Sequence, residues 1–136
     1  MKLTPRGILD ERGLVGKILA LWLVLGILLA LAAIDTAQIL YARFKVADAA
    51  QTASFEAART LRSTTGDRGA AYEAALAAVA EADTDARMKD FVIDTASSEV
   101  SVTVTKKIST LLVGRFGLLE ELGRATATEA SALSGP

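Results

Sequence analysis

Apolar and polar positions change rhythm four times along the chain. Ile18 to Ile34 reads ILALWLVLGILLALAAI, seventeen residues without a charge, bounded by Lys17 and Asp35. At about 1.5 Å per residue this helix is roughly 26 Å long, and Leu14, Val15 and Gly16 lengthen the apolar run on its N-terminal side. The pattern predicts a membrane-spanning helix over 18–42. From Ile34 to Arg62 there is no Gly or Pro, and Val46, Ala50, Ala53, Ala57 and Leu61 recur at helical spacing. That stripe extends the helix to about Leu61. Ser63-Thr64-Thr65-Gly66 then breaks it.

Asp67 is placed to cap a second helix over about 68–85, with Tyr72, Leu76 and Val79 on one face. Phe91-Val92-Ile93 is a short strand-forming run. Val100, Val102 and Val104 alternate with Ser101, Thr103 and Thr105, the period-two signature of a half-buried strand. The small polar residues between these runs, Asp94–Glu99, form a hairpin turn. Ile108–Leu122 reads as a short helix interrupted near Gly114 and Gly117. Ala125-Thr126-Ala127-Thr128 begins a last strand, and Ser134-Gly135-Pro136 is a tail. The expected fold is α+β: a long N-terminal helix crossing a membrane and continuing outside, a second helix, and an antiparallel sheet of about three strands.

Charge sets the expected orientation. Residues 1–17 carry four basic and two acidic groups, residues 18–34 none, and residues 35–136 eleven basic and fourteen acidic. The positive-inside rule places Lys2, Arg6, Arg12 and Lys17 in the cytoplasm, with Arg12 and Lys17 as topogenic residues. Three segments follow: 1–17 cytoplasmic, 18–42 transmembrane, and 43–136 an extracytoplasmic α+β domain. A cleaved signal peptide is the rival reading, because Ala30-Leu31-Ala32 is an A-x-A site.

Composition narrows the chemistry. There is no Cys and no His, which removes disulfides, thiol nucleophiles and the commonest metal ligand. A net charge of −1 gives no field for nucleic acid. The acid pairs Asp83/Asp85 and Glu120/Glu121 lie in polar stretches that do not split their pKa values for acid–base work. Asp83-Thr84-Asp85 lacks the Gly and closing Glu of a calcium loop. Ser109 near Lys106 and Lys107 is a spacing that chance produces. No enzyme, cofactor or metal site is expected.

The residues singled out for membrane or partner packing are Trp22, Asp35, Ala47, Ala50, Ala53 and Ala57. Trp22 lies inside the apolar run and is assigned to lipid or partner-helix packing. Asp35 is read as an interfacial carboxylate ending the segment in water, rather than as the partner of a basic group elsewhere. The Ala stripe has two readings of equal weight: a surface for other helices, since small residues let backbones approach, or packing against the chain's own sheet and second helix.

The order of parts resembles a known family. An apolar N-terminal helix with Asp35 at its outer end, followed by Arg43 and Val46-Ala47-Asp48-Ala49-Ala50, is similar to the TadE/TadG-like proteins of the tight-adherence (Flp) pilus system. Val100–Val104, Leu111–Gly117 and Ala125–Ala132 resemble the later segments of that family. The resemblance implies a pilin-like or minor-pilin assembly component in a bacterial cytoplasmic membrane. It would be single-pass with its domain outside, and would meet lipid and other pilin-like or secretion-machine subunits in a homo- or hetero-oligomer. A membrane-anchored binding module and a domain released after Ala32 are the alternatives. Many relatives have Glu-Arg-Gly followed by a further Glu. Here Glu11-Arg12-Gly13 is followed by Lys17 about where that Glu stands. Prepilin-type cleavage after Gly7 or Gly13 and Glu-mediated packing are therefore not expected to follow the family pattern.

Overall fold

The computed structural model describes residues 7–133, with side chains from Gly13 onward except that of Leu118. The proposed tail 134–136 lies outside the described residues, as do the side chains of Glu11 and Arg12. Helix α1 runs from Gly7 to Ser63 and α2 from Arg68 to Ala82. Strands β1 (Arg87–Asp94), β2 (Glu99–Lys107) and β3 (Arg124–Ala132) form one antiparallel sheet in the order β1-β2-β3. Two 3-10 segments, Val113–Arg115 and Gly117–Gly123, lie between β2 and β3.

Each boundary has a local cause. At the end of α1, Thr65 and Gly66 turn left-handed, with φ of 58° and 91°. The Gly66 N–H donates to the Leu61 carbonyl at 2.9 Å, the six-to-one closure that satisfies a helix-end carbonyl. Asp67 caps α2, accepting the Ala70 N–H at 3.1 Å. Helix α2 stops at Ala82, short of the expected 85. Asp83 is extended, and its carboxylate accepts the Asp85 N–H at 3.0 Å, an Asx turn that competes with another helical residue. In the β1–β2 turn, Asp94 Oδ1 accepts the N–H groups of Ala96 at 2.9 Å and Ser97 at 3.3 Å. Bonds from Ser97 and from the Ala96 backbone hold the Asp94 carboxyl below its ordinary pKa.

The core lies where α1 crosses the sheet. Val100, Val102 and Val104 are fully buried, as the period-two pattern predicts. Across the ladders they face Ile93, Phe91 and Met88 of β1, and Ser131, Glu129 and Ala127 of β3. A bulge between Met88 and Asp90 keeps that register. Helix α2 packs along α1 through Ala71, Ala75, Ala78 and Val79, which are buried with Ala49, Ala50, Ala53 and Ala57. With Ala at so many of the touching positions, the two helices can lie at the close end of the usual separation. The Tyr72 ring meets Phe91 edge-on, 5.5 Å between centroids, and joins α2 to β1.

The sheet also fixes a direction. Ser54 on α1 bonds Ser131 near the end of β3 at 2.8 Å. The Ser54 hydroxyl hydrogen goes to the Gln51 carbonyl at 2.9 Å, so Ser131 is the donor of the pair. The opposite end of the sheet, Lys107 and Arg124, therefore points back along α1 toward the apolar segment.

Candidate functional site

That lower end holds the most informative polar contact of the chain. The segment between β2 and β3 is a loop pinched shut at its base, where the Ile108 N–H donates to the Gly123 carbonyl at 2.7 Å. Its rim reaches α1 at Asp35. The carboxylate accepts the backbone N–H groups of Leu111 and Leu112 at 2.7 Å each and of Val113 at 3.1 Å. Asp35 is 1 % exposed. The reading of Asp35 as a carboxylate ending the segment in water is thus corrected: it is enclosed and satisfied by the chain's own loop. The reason is the loop, whose three consecutive donors converge on one acceptor and replace water. Sequence reasoning found the residue but not its partner, because backbone donors leave no mark in side-chain patterns.

The loop forms two 3-10 segments rather than one interrupted helix. The break falls beside Gly117, where it is expected, at Phe116, which is extended (φ −104°, ψ 110°). Leu111, Phe116, Leu119 and Leu122 stay exposed on it, Phe116 at 59 %.

The remaining singled-out residues separate into two groups. Trp22 and Lys17 are exposed on α1, while the Arg12 side chain lies outside the described residues. Ala50, Ala53 and Ala57 are fully buried in the chain's own core, and Ala47 is half-buried at its margin. Of the two readings of the Ala stripe, the structure selects internal packing for those three. What α1 leaves uncovered is a different face. Leu40, Tyr41, Phe44 and Phe55 are exposed there, Phe44 at 72 % and Phe55 at 52 %. Eleven residues separate the two phenylalanines, about three helical turns, so they share one side of α1. Lys45 sits 5.8 Å from the Tyr41 ring centroid, a cation–π contact at the foot of this face.

Domain packing on α1 begins at Asp35, with Ile39 and Ala42 in or against the core. It overlaps the last turns of the 18–42 segment on one side of the helix only. Elsewhere, Lys106 of β2 donates to Asp83 at the end of α2. That bond, more than any other effect, holds the Asp83 carboxyl below its ordinary pKa. Among the described residues, no three acidic side chains gather as a cation site would need. The depressions are shallow. One of about 260 Å³ is lined by Leu61, Arg62, Gly66, Arg68 and Ile93 at the far end of the domain.

Among the described residues, one helix is long and apolar enough to cross a membrane, and the fold fits a single-pass anchor carrying an α+β domain. No protein-family model, curated protein or solved structure gives a significant match to the chain.

Proposed function

We propose that the protein is a non-enzymatic, pilin-like assembly subunit, anchored by one membrane span with its N-terminus inside and its domain outside. The setting is the tight-adherence type of pilus or secretion machine suggested by the sequence resemblance. One observation carries the reading. A single helix is both membrane segment and domain backbone, with the sheet on one side and Leu40, Tyr41, Phe44 and Phe55 left bare on another. A monomer gains nothing from keeping Phe55, about 18 Å beyond Arg43 along the rod, in water on the same face as Phe44. A subunit that packs side by side buries them, at about 25 cal/mol per Å² of apolar surface. The lateral surface thus moves from the Ala stripe to the face of Phe44 and Phe55.

The test uses the Cys-free background. Gln51 is exposed, lies between Phe44 and Phe55 in sequence, and falls within about 40° of both on the helical projection. Gln51→Cys in the full chain should give oxidised species larger than monomer in native membranes, and Phe55→Ser should reduce them. Val92→Cys on the outer sheet face should give none. Equal crosslinking at 51 and 92, or none at 51, would overturn the lateral face.

A further inference from the structure

We propose that the loop between Ile108 and Gly123 is a second membrane contact: it lies in the outer interfacial layer of the bilayer that α1 crosses. The inference rests on the reading of α1 as a membrane span. The ligand is the lipid surface itself, apolar chains below and anionic headgroups around.

Three observations converge. The first is height. Lys17 and Arg43 are the basic residues nearest the apolar segment on either side. The 26 residues between their positions span about 39 Å as helix, close to the ~40 Å of a bilayer with its headgroups. Asp35 stands eight residues short of Arg43, about 12 Å below it along the helix. Three hydrogen bonds hold Leu111, Leu112 and Val113 to Asp35. With a headgroup layer of about 5 Å on each side, the loop is fixed roughly 7 Å below the headgroup boundary, the depth to which interfacial segments bury their apolar side chains. Tyr41 stands about 9 Å above Asp35 on the bare side of α1, in the headgroup layer where aromatic side chains favour the interface.

The second is what the loop shows at that level. Leu111, Phe116, Leu119 and Leu122 are exposed together. Basic residues ring the patch: Lys107 and Arg124 at the base and Arg115 within it, all exposed. Apolar side chains framed by Lys and Arg are the makeup of interfacial segments. The acids Glu120 and Glu121, also exposed, line a depression with Gly117, Arg124 and Thr126, where Arg124 is at hand to offset their charge.

The third is the backbone. Unpaired N–H groups are costly where water is scarce. Asp35 takes those of Leu111, Leu112 and Val113, and carbonyls within the loop take those of Arg115, Phe116 and Leu119 at 2.9–3.3 Å. The Ile108 N–H closes the base. These donors are already satisfied before the loop meets lipid. Asp35 thus serves as the internal counterpart that lets a non-helical segment sit at the interface.

Trp22 is the chain's single tryptophan, so depth can be read by fluorescence. The full-length Trp22→Phe, Phe116→Trp chain is reconstituted in phosphatidylethanolamine–phosphatidylglycerol vesicles containing lipids brominated near the headgroup end of the acyl chain. Leu119→Trp in the same background is a second reporter, in case Phe116→Trp disturbs the fold. Val92→Trp, on the outer sheet face, is the water control. The native chain, with Trp22 five residues or about 7.5 Å from Lys17, reports the span through the same shallow-brominated lipids, which are present in both leaflets. The expected result is blue-shifted emission with strong loss to shallow bromine at position 116 or 119, and little loss at 92. Loop reporters unquenched while Trp22 is quenched would overturn the inference and leave the span intact. Blue-shifted but unquenched loop reporters would show protein covering the loop and overturn it equally. An unquenched Trp22 would sink the span, and the inference with it.

Discussion

Asp35 and Leu112 lie 77 residues apart in sequence and meet at 2.7 Å, the Leu112 N–H donating to Oδ2. Leu111 and Val113 donate to the same carboxylate. The contact joins the end of the apolar segment of α1 to the loop at the lower end of the sheet. Asp35→Ala should release the loop, since each enclosed N–H left unpaired costs about 1–3 kcal/mol. Faster hydrogen exchange across residues 108–122, with β2 still protected, is the expected result. Asp35→Asn keeps one acceptor oxygen and should fall between. Unchanged exchange in Asp35→Ala would show that the loop is held by its own packing.

Ala53 is fully buried between α1 and the rest of the domain, whereas Ala47, one helical face away, is half-buried. Ala53→Leu forces three extra heavy atoms into a filled site and should destabilise by about 1–3 kcal/mol. Ala47→Leu has room to point outward and should stay within about 0.5 kcal/mol. Thermal melting of the full chain in detergent separates the two. Equal melting temperatures would return the Ala stripe to the outer surface.

Val102 and Thr103 are neighbours with opposite surroundings. Val102 is fully buried, while Thr103 bonds Thr128 on the outer face at 2.8 Å. Val102→Asp buries a charge with no partner and should cost about 4 kcal/mol or more, a large part of a domain's ~5–15 kcal/mol. Asp90 is the cross-strand neighbour of Thr103. Thr103→Lys should therefore be neutral, and Thr103→Asp mildly destabilising through like charges, by under about 1 kcal/mol. Protease resistance of the three variants checks the order, and equal sensitivity at 102 and 103 would refute the register.

Periodicity made most of the fold legible. The valines of β2 alternate because one face of the strand is buried, and Ser63–Gly66 carries the residues a helix end needs. Asp67 could be assigned as a cap on its own, since a cap is a local contact. The 108–122 segment was harder. Its apolar spacing fits a helix, but Asp35 captures three successive N–H groups and the chain tightens into 3-10 turns. The enclosure of Asp35 is hidden in the sequence for the same reason: its partners are main-chain atoms 76 to 78 residues away. The Ala stripe stayed undecided because small residues suit internal and external helix contacts equally. Phe44 and Phe55, which mark the uncovered face, drew no notice. Single aromatic residues in a helix ordinarily point to the core.

The ion pair of Asp83 and Lys106 gives the domain a pH response. Lys106, Lys45 and the Asp85 N–H all favour the Asp83 carboxylate, with the Lys106 bond foremost, and burial opposes them less strongly. The folded-state pKa of Asp83 therefore lies below its unfolded value of about 3.9. The pair's contribution is complete above that unfolded value and is lost as pH falls through the lower, folded one. Melting temperature should thus be insensitive to this pair near neutrality and decline in acid. Asp83→Asn removes the charge at every pH. It should lower the melting temperature at pH 7 and flatten part of the acid decline, so that the two curves converge at low pH. Lys106→Met tests the cause, since Asp83 would keep its Asx turn while losing its strongest partner. Parallel curves for the native chain and Asp83→Asn down to the lowest pH would show that the pair contributes nothing to stability.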